Sequence, residues 1–477
     1  MQLAQKLARG ELTSVELVQI SLERIATLDR DKTRSVIELN PDALDIARRR
    51  DAERRRGSVR GPLHGLPLLV KDNIDTGDSM LTTAGSLAMT GAPAQRDAPL
   101  VARLRKAGAV LIGKTNLSEW ANIRSSRSSS GWSGRGRQTR NPHVLDRTPS
   151  GSSSGSGVAA AAGYAALTIG TETDGSIVSP STANGIVGMK PGVGVVSGRG
   201  IIPISAVQDS AGPMTRTVED AAAVLGVIAQ QPGDYSRRLK RDALRGKRLG
   251  VLRKPFTGYS EHTDRCYEES LAALKHCGAV LIEVELPTAT PLRESGSELT
   301  ALLHELKAGL NAYLAGRRGL AVRTLADVIR WNKAHADEEM PYFQQELFER
   351  AQATRGLSTT KYVKERAELT RLARAEGIDR VMRSHRLAAL VAPSGAPAAV
   401  LDEVDGEKHL GGSTQPAAVA GYPIITVPAG TAFGLPLGLS IFAGADSEGR
   451  LIGFAYAFEQ ATMARVVPRF VASLSLP

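Results

Sequence analysis

Serine, glycine and lysine occur in three places where they could do chemistry together. The first is the run Pro149-Ser150-Gly151-Ser152-Ser153-Ser154-Gly155-Ser156-Gly157. The second is Gly170-Thr171-Glu172-Thr173-Asp174-Gly175-Ser176-Ile177, and the third is Lys71, which closes the apolar run Leu66–Val70. By composition alone a Gly/Ser run is a flexible linker. This one leads straight into an Ala-rich stretch (158–164) and an apolar stretch (165–170), so it belongs to a folded pattern. A Ser-rich loop that opens a helix presents hydroxyls and free backbone N–H groups together. No Lys-Ser/Thr follows the glycines, which excludes a P-loop. Ser153 is the centre of a Gly-x-Ser-x-Gly match, but a nucleophile elbow needs a buried strand before it. Residues 139–149 are polar and contain Pro142 and Pro149.

Read locally, Asp174-Gly175 is a turn. Read chemically, Ser176 is a nucleophile whose neighbouring backbone N–H groups form an oxyanion hole. Such a serine needs a base. Of eight histidines only His143 lies near either cluster, and its Asn-Pro-His context reads as a surface turn. Neither an HExxH nor a CxxC pattern occurs, so no metal is indicated. A lysine can serve if it is neutral, and with a free pKa of about 10.4 it must be desolvated or sit near other cations. Lys71, at the end of an apolar run, meets that condition, although a lysine at a strand end also reads as solvated. The one Ser-x-x-Lys pairing, Ser358 to Lys361, opens a charged helix and reads as chance.

Residues 1–60 read as helices, with a capping-box start at Thr13-Ser14-Val15-Glu16. Strands are expected at 63–71, 109–113 and 165–170, and helices at 97–107 and 158–164. This alternation indicates an α/β sheet of βαβ type. The stretch 231–385 begins with a strand (248–252), a helix (263–276) and a strand (279–285). It then becomes helical over 295–314, 322–335, 341–353 and 359–384. Strand signals return at 387–393, 423–428 and 437–442. The whole chain, 1–477, reads as a single domain. Its α/β core spans 61–230 and 386–477, and a largely helical insertion covers 231–385.

With 477 residues, 42% hydrophobic and 23% charged, the chain is an ordinary globular one, which excludes collagen, coiled coil and bulk disorder. A net charge of +11 raises the question of nucleic acid. The densest basic run, 48–56, is interrupted by Asp51 and Glu53 and has no interleaved aromatics, so no nucleic-acid partner is expected. No window approaches 18 uninterrupted apolar residues, so neither a membrane span nor a membrane partner is expected. The segment Leu3–Leu28 lacks the features of a signal peptide. A cytoplasmic location is therefore expected for the chain as given, with export of a longer precursor left open. Cys266 and Cys277 lie near the two ends of one expected helix, about 16 Å apart, too far for a disulfide.

Lys71, Ser152 and Ser176, with the two serines 24 positions apart, form a pattern that resembles the amidase signature family. The matching stretches are Gly61–Asp75, Gly113–Ile123, Gly131–Pro142, Gly151–Ser156 and Gly170–Val178, with Gly188–Pro191 and Asp209–Met214 downstream. They are most similar to members that hydrolyse the C-terminal amide of peptides. The resemblance implies a large mixed, mostly parallel sheet flanked by helices, with the helical insertion as its variable part. It implies a base at Lys71, a bridging Ser152 after a cis peptide bond, a nucleophilic Ser176, and an oxyanion hole from the backbone of Thr173, Asp174, Gly175 and Ser176. It implies a peptide amide as substrate, no cofactor, and a monomer or homodimer. Ser153 and Trp132 are expected to touch the substrate. The loop 124–140 and the insertion are expected to close the leaving-group side. Alternatives are a broad small-amide amidase, or a protein like the amide-handling component of an amidotransferase, working in a complex. Two positions depart from the family pattern. Asp174 replaces a glycine and adds a carboxylate expected to disfavour acidic ligands. Val178 replaces an arginine, which removes a salt bridge to residue 172.

Overall fold

In the computed structural model, which describes residues 1–474, eleven strands share one sheet. In chain order they are β1 Val36–Leu39, β2 Pro67–Lys71, β3 Val110–Thr115, β4 Leu167–Glu172, β5 Val187–Lys190 and β6 Ser210–Thr215. Then come β7 Arg248–Leu252, β8 Val280–Val284, β9 Ala389–Pro393, β10 Ile424–Ala432 and β11 Leu435–Phe442. Across the sheet the order is β1-β3-β2-β4-β6-β5-β10-β11-β9-β7-β8.

The sheet is mixed and flanked by helices, as expected, but its strand directions correct one expectation. Parallel pairs are a minority: four, against six antiparallel ones. They fall in two blocks, β3-β2-β4 and β9-β7-β8, where helices return the chain to the same edge. Between the blocks, β10 and β11 are joined by the two-residue turn Phe433-Gly434, which can only reverse the direction.

Strands β2, β3 and β4 are buried at every residue, which is why their sequences read as continuous apolar runs rather than alternating ones. The helix Ser154–Ala162 is built from Ser, Gly, Ala and one Val, and all nine residues are buried. Side chains that small let it lie close to β4, so the Gly/Ser run is a tightly packed helix start rather than a linker. The helices Val218–Ile228 and Glu448–Thr462 cover one face, where Leu225 and Phe458 pack in the same core as Ile169 and Met189.

Most anticipated elements lie where the pattern put them, including the capping box of Thr13 and Glu16 and the strand at 248–252. Three strands had no strand signal. β1 is a short, half-exposed edge strand, and β5 is only four residues long. β6 carries Gly212 and Pro213 in the middle of the sheet, although proline usually marks an edge. In the segment 231–385, β7 and β8 extend the same sheet. Its helices Ser297–Ala315, Leu325–Ala334 and Glu346–Gln352 pack Leu306, Val328 and Phe348 against Trp120 of the core. Cys266 and Cys277 are both free thiols. Among the described residues no helix is long and apolar enough to cross a membrane.

Gly212 marks the tightest point of the sheet: a Cβ there would lie 1.9 Å from the Met189 carbonyl oxygen. Backbone cannot yield as a flexible side chain does. Gly212→Ala is expected to destabilise the protein by about 2 kcal/mol or more, read as a lower urea midpoint at unchanged slope.

Candidate active site

β2 delivers Lys71 to the centre of the sheet with no solvent contact. Its Nζ lies 2.8 Å from Ser152 Oγ, 3.0 Å from Ser153 Oγ, 2.9 Å from Thr171 Oγ1 and 3.3 Å from the Thr171 carbonyl. No carboxylate oxygen lies within ion-pairing distance among the described residues. Burial pulls the amine down to about 7, and the more distant charges of Asp209 and Glu172 only partly oppose it. Near neutral pH, then, Lys71 is divided between ammonium and free amine. The free amine has a lone pair to accept the proton of the Ser152 hydroxyl.

The Ser-rich loop places two hydroxyls on that amine. The Gly151–Ser152 peptide bond is cis, and the Ser152 carbonyl accepts from the Ser118 N–H at 3.0 Å. Ser153 Oγ donates to the Thr171 carbonyl at 2.9 Å and accepts from the Thr171 N–H at 3.1 Å. Ser153 is fully buried, and these bonds fasten the loop to β4 and orient Lys71.

Ser176 follows a turn in which Gly175 takes a φ of +78°, a conformation that favours glycine. The turn is fastened at its ends. Glu172 Oε2 accepts the N–H groups of Ile177 at 2.7 Å and Val178 at 2.9 Å. The Ser176 carbonyl accepts from the Ser153 N–H at 3.1 Å, and the Gly175 carbonyl from the Ser179 N–H at 2.7 Å. Thr173 Oγ1 donates to Asp209 Oδ1 at 2.6 Å. Among the described residues, the N–H groups of Thr173, Asp174, Gly175 and Ser176 donate to no oxygen. Ser152 has no exposure and Ser176 has 8%.

Asp174 is not the repelling carboxylate that its type suggests. Burial and the nearby charge of Glu298 push its carboxyl well above the usual range. Burial raises the Glu298 carboxyl as well, and its oxygens accept from Gln208 Nε2 at 2.8 Å and Gln415 Nε2 at 2.7 Å.

The structure does not bring Trp132 to this cluster. Its ring is buried against Tyr342 and Phe343, edge to face at 5.8 and 5.2 Å, with the Arg124 guanidinium 5.5 Å from its centre. His143 is no surface residue either. It is buried, with Nε2 3.1 Å from the Asn184 carbonyl, and burial pulls its ring down to about 4. Residue type had not singled out Thr171, which makes two of the four contacts to Lys71, or Asn73, whose amide donates to Thr171 Oγ1 at 2.9 Å. Their only sequence signal was proximity to the Lys71 and Ser176 motifs. A cavity of about 370 Å³, lined in part by Asn73, Thr171, Thr173 and Ile202, reaches these residues.

A family model described as Amidase matches residues 16–452. A probable amidase of Arabidopsis thaliana is 40% identical, across 97% of this chain and 89% of its own length. In Symbiobacterium thermophilum, one component of the glutamyl-tRNA(Gln) amidotransferase is 34% identical, across 95% of this chain and 94% of its own. The crystal structure of native peptide amidase from Stenotrophomonas maltophilia superposes with a TM-score of 0.93 at 50% identity, covering 98% of this chain and 97% of that one.

The bonding of Ser153 and Ser152 differs in a measurable way. Ser153→Ala takes the Oγ acceptor from the Thr171 N–H and leaves the Thr171 carbonyl only its 3.3 Å contact with Lys71 Nζ, and is expected to cost about 1–3 kcal/mol of stability. Ser152→Ala leaves no backbone group unpaired and should shift the urea midpoint little.

Proposed function

This chain belongs to the amidase family, and from that premise we propose that it hydrolyses the C-terminal amide of peptides to the free acid and ammonia. The observation that carries the reading is the buried contact of Lys71 with Ser152 beside the four undonated N–H groups that lead up to Ser176. The peptide as substrate class is supported by the 50% identity, across almost the whole chain, to a peptide amidase.

In this reading the free amine of Lys71 takes a proton from Ser152, and Ser152 takes one from Ser176. A hydroxyl suits the middle position because it donates and accepts at once. Ser176 Oγ attacks the amide carbon, and the negative oxygen is received by the N–H groups of residues 173–176. The relayed proton returns to the nitrogen, so that ammonia leaves rather than amide anion. Water enters, gives its proton to the same relay and cleaves the acyl-enzyme. The chain works without cofactor or nucleic acid, as a monomer or homodimer. The loop 124–140 and the helices of the insertion close the space beyond the leaving nitrogen, which selects a terminal NH₂ over an internal peptide bond.

The full-length likeness to a component of an amidotransferase favours a second reading, in which the chain handles amide nitrogen for a partner. One experiment separates the two. The isolated chain is incubated with one peptide in amide and free-acid forms and the products are weighed. A gain of about one mass unit in the amide form alone is expected, and Ser176→Ala should abolish it. Internal fragments, or no turnover without partner proteins, would sink the proposal.

The base also sets a pH dependence. It works deprotonated and burial places it at about 7, so kcat/KM should rise through about pH 7 and level off above. Lys71→Arg keeps the charge but cannot shed a proton in this range, and is expected to lose at least about a thousandfold in kcat/KM. Rates of ammonia release from about pH 5 to about pH 9 test both points.

A further inference from the structure

A free amine has two N–H groups and one lone pair, and the lone pair of Lys71 must face Ser152 for the proton to pass. Four oxygens surround Nζ, so the amine has to be turned the right way by its neighbours. A hydroxyl has one proton and two lone pairs, and the bonds it already makes fix what it can still offer the amine.

Ser153 has no freedom left. Its Oγ donates to the Thr171 carbonyl at 2.9 Å and accepts from the Thr171 N–H at 3.1 Å. One lone pair remains, and Lys71 Nζ lies 3.0 Å away. Ser153 can therefore only receive an N–H from the amine. Thr171 Oγ1 accepts from Asn73 Nδ2 at 2.9 Å and lies 2.9 Å from Lys71 Nζ. It keeps one lone pair and one proton. Turned onto the amine, that proton would occupy the lone pair that Ser152 needs. The cavity of about 370 Å³ gives it another direction, because Thr171 lines that cavity and is 7% exposed. The Thr171 carbonyl is the poorer receiver of an N–H, at 3.3 Å and already bonded by Ser153. Among the described residues Ser152 Oγ bonds only Lys71.

We propose that Thr171 is a positioning residue of the amidase reaction: held by Asn73 with its proton turned to the cavity, its Oγ1 receives the second N–H of Lys71, so that Ser153 and Thr171 together leave the lone pair to Ser152. The proposal rests on Lys71 being the base. Once Lys71 has taken the proton, its three N–H groups meet three hydroxyls, those of Ser152, Ser153 and Thr171. A hydrogen bond from an ammonium is stronger than one from an amine, so Thr171 favours the protonated form. Without its hydroxyl the ammonium loses an acceptor and Lys71 becomes less basic. One N–H of the free amine is also left loose and can turn onto Ser152 in place of the lone pair, which slows the relay. The charges that Lys71 faces, Asp209 and Glu172, are unchanged by a substitution at residue 171.

The test is the pH profile of ammonia release by Thr171→Val, which keeps the shape and drops the hydroxyl, and by Thr171→Ser, which keeps the hydroxyl. In Thr171→Val the plateau kcat should fall about tenfold or more, with KM little changed. The acid limb of kcat/KM should move down by about half a pH unit or more. Thr171→Ser should restore both the plateau and the limb. An unchanged or higher plateau in Thr171→Val would overturn the proposal, because the hydroxyl would then be idle or competing with Ser152. A lower plateau with an unmoved or raised limb marks a structural role and overturns it too, as does a Thr171→Ser variant as slow as Thr171→Val. Thr171→Val also strands the Asn73 amide. If it does not fold, Thr171→Val combined with Asn73→Ala is compared with Asn73→Ala alone, and the same outcomes decide. Turnover by Lys71→Arg would instead strike at the reading beneath, whatever Thr171 does.

Discussion

A lysine amine buried among hydroxyls, with no carboxylate in contact, is the condition on which the site depends. Water must be kept from Nζ, or the amine returns to its ordinary basicity. The all-buried strands β2 and β4 and the small-residue helix Ser154–Ala162 do this. Negative charge must also be kept at a distance. Asp209 and Glu172 are near enough to be felt but do not touch Lys71, because each is occupied elsewhere. Asp209 accepts from Thr173 Oγ1 and from the N–H groups of Ile204 and Ser205, and Glu172 from those of Ile177 and Val178.

The same bonds shape the turn before Ser176. A turn with its own carbonyls paired and its N–H groups free is unusual, because buried backbone donors are normally satisfied. Here the carbonyls of Gly175 and Ser176 and the side chain of Thr173 are consumed by neighbours, while Glu172 spans the turn from its start to the residues after its end. Among the described residues, four successive donors are left without an acceptor. Two carboxylates thus serve twice: their charge partly offsets the loss of basicity that burial imposes on Lys71, and their hydrogen bonds clamp the turn.

Lys71, Ser152 and Ser176 were legible in the sequence because their motifs are local, and β2, β3 and β4 because a strand covered on both faces must be apolar throughout. β6 was not legible: Gly212 and Pro213 argue against a central strand unless the close approach of β5 is known. The surroundings of Ser153, Trp132 and His143 were not legible for one reason. Whether a polar or aromatic side chain meets solvent, ligand or core is set by elements far away in the chain. Ser153 is satisfied by Thr171, Trp132 by Phe343 and His143 by Asn184. The charge state of Asp174 is a non-local property too, since Glu298 arrives from a helix more than a hundred residues downstream.

That distance separates two kinds of residue. The groups that meet Lys71, and those that hold the turn, come from 71–73, 152–153 and 171–179 and from the 204–209 segment. The polar groups that set the electrostatics around Asp174 come in large part from the insertion. Glu298 is bonded by Gln208 and Gln415, and Gln208 in turn accepts from Arg366 at 2.7 Å. Arg366 pairs with Glu305, which also accepts from the Tyr362 hydroxyl at 2.8 Å. Glu298, Glu305, Tyr362 and Arg366 all lie on two insertion helices, Ser297–Ala315 and Thr360–Ala373. A change in that network alters the field at Asp174 and also reaches the edge of the turn, since Gln208 Nε2 lies 3.5 Å from the Thr173 carbonyl and the charge of Glu305 raises the Asp209 carboxyl. The insertion therefore acts on the turn through charge and one long contact, whereas the hydroxyls around Lys71 come from Ser152, Ser153 and Thr171 of the core.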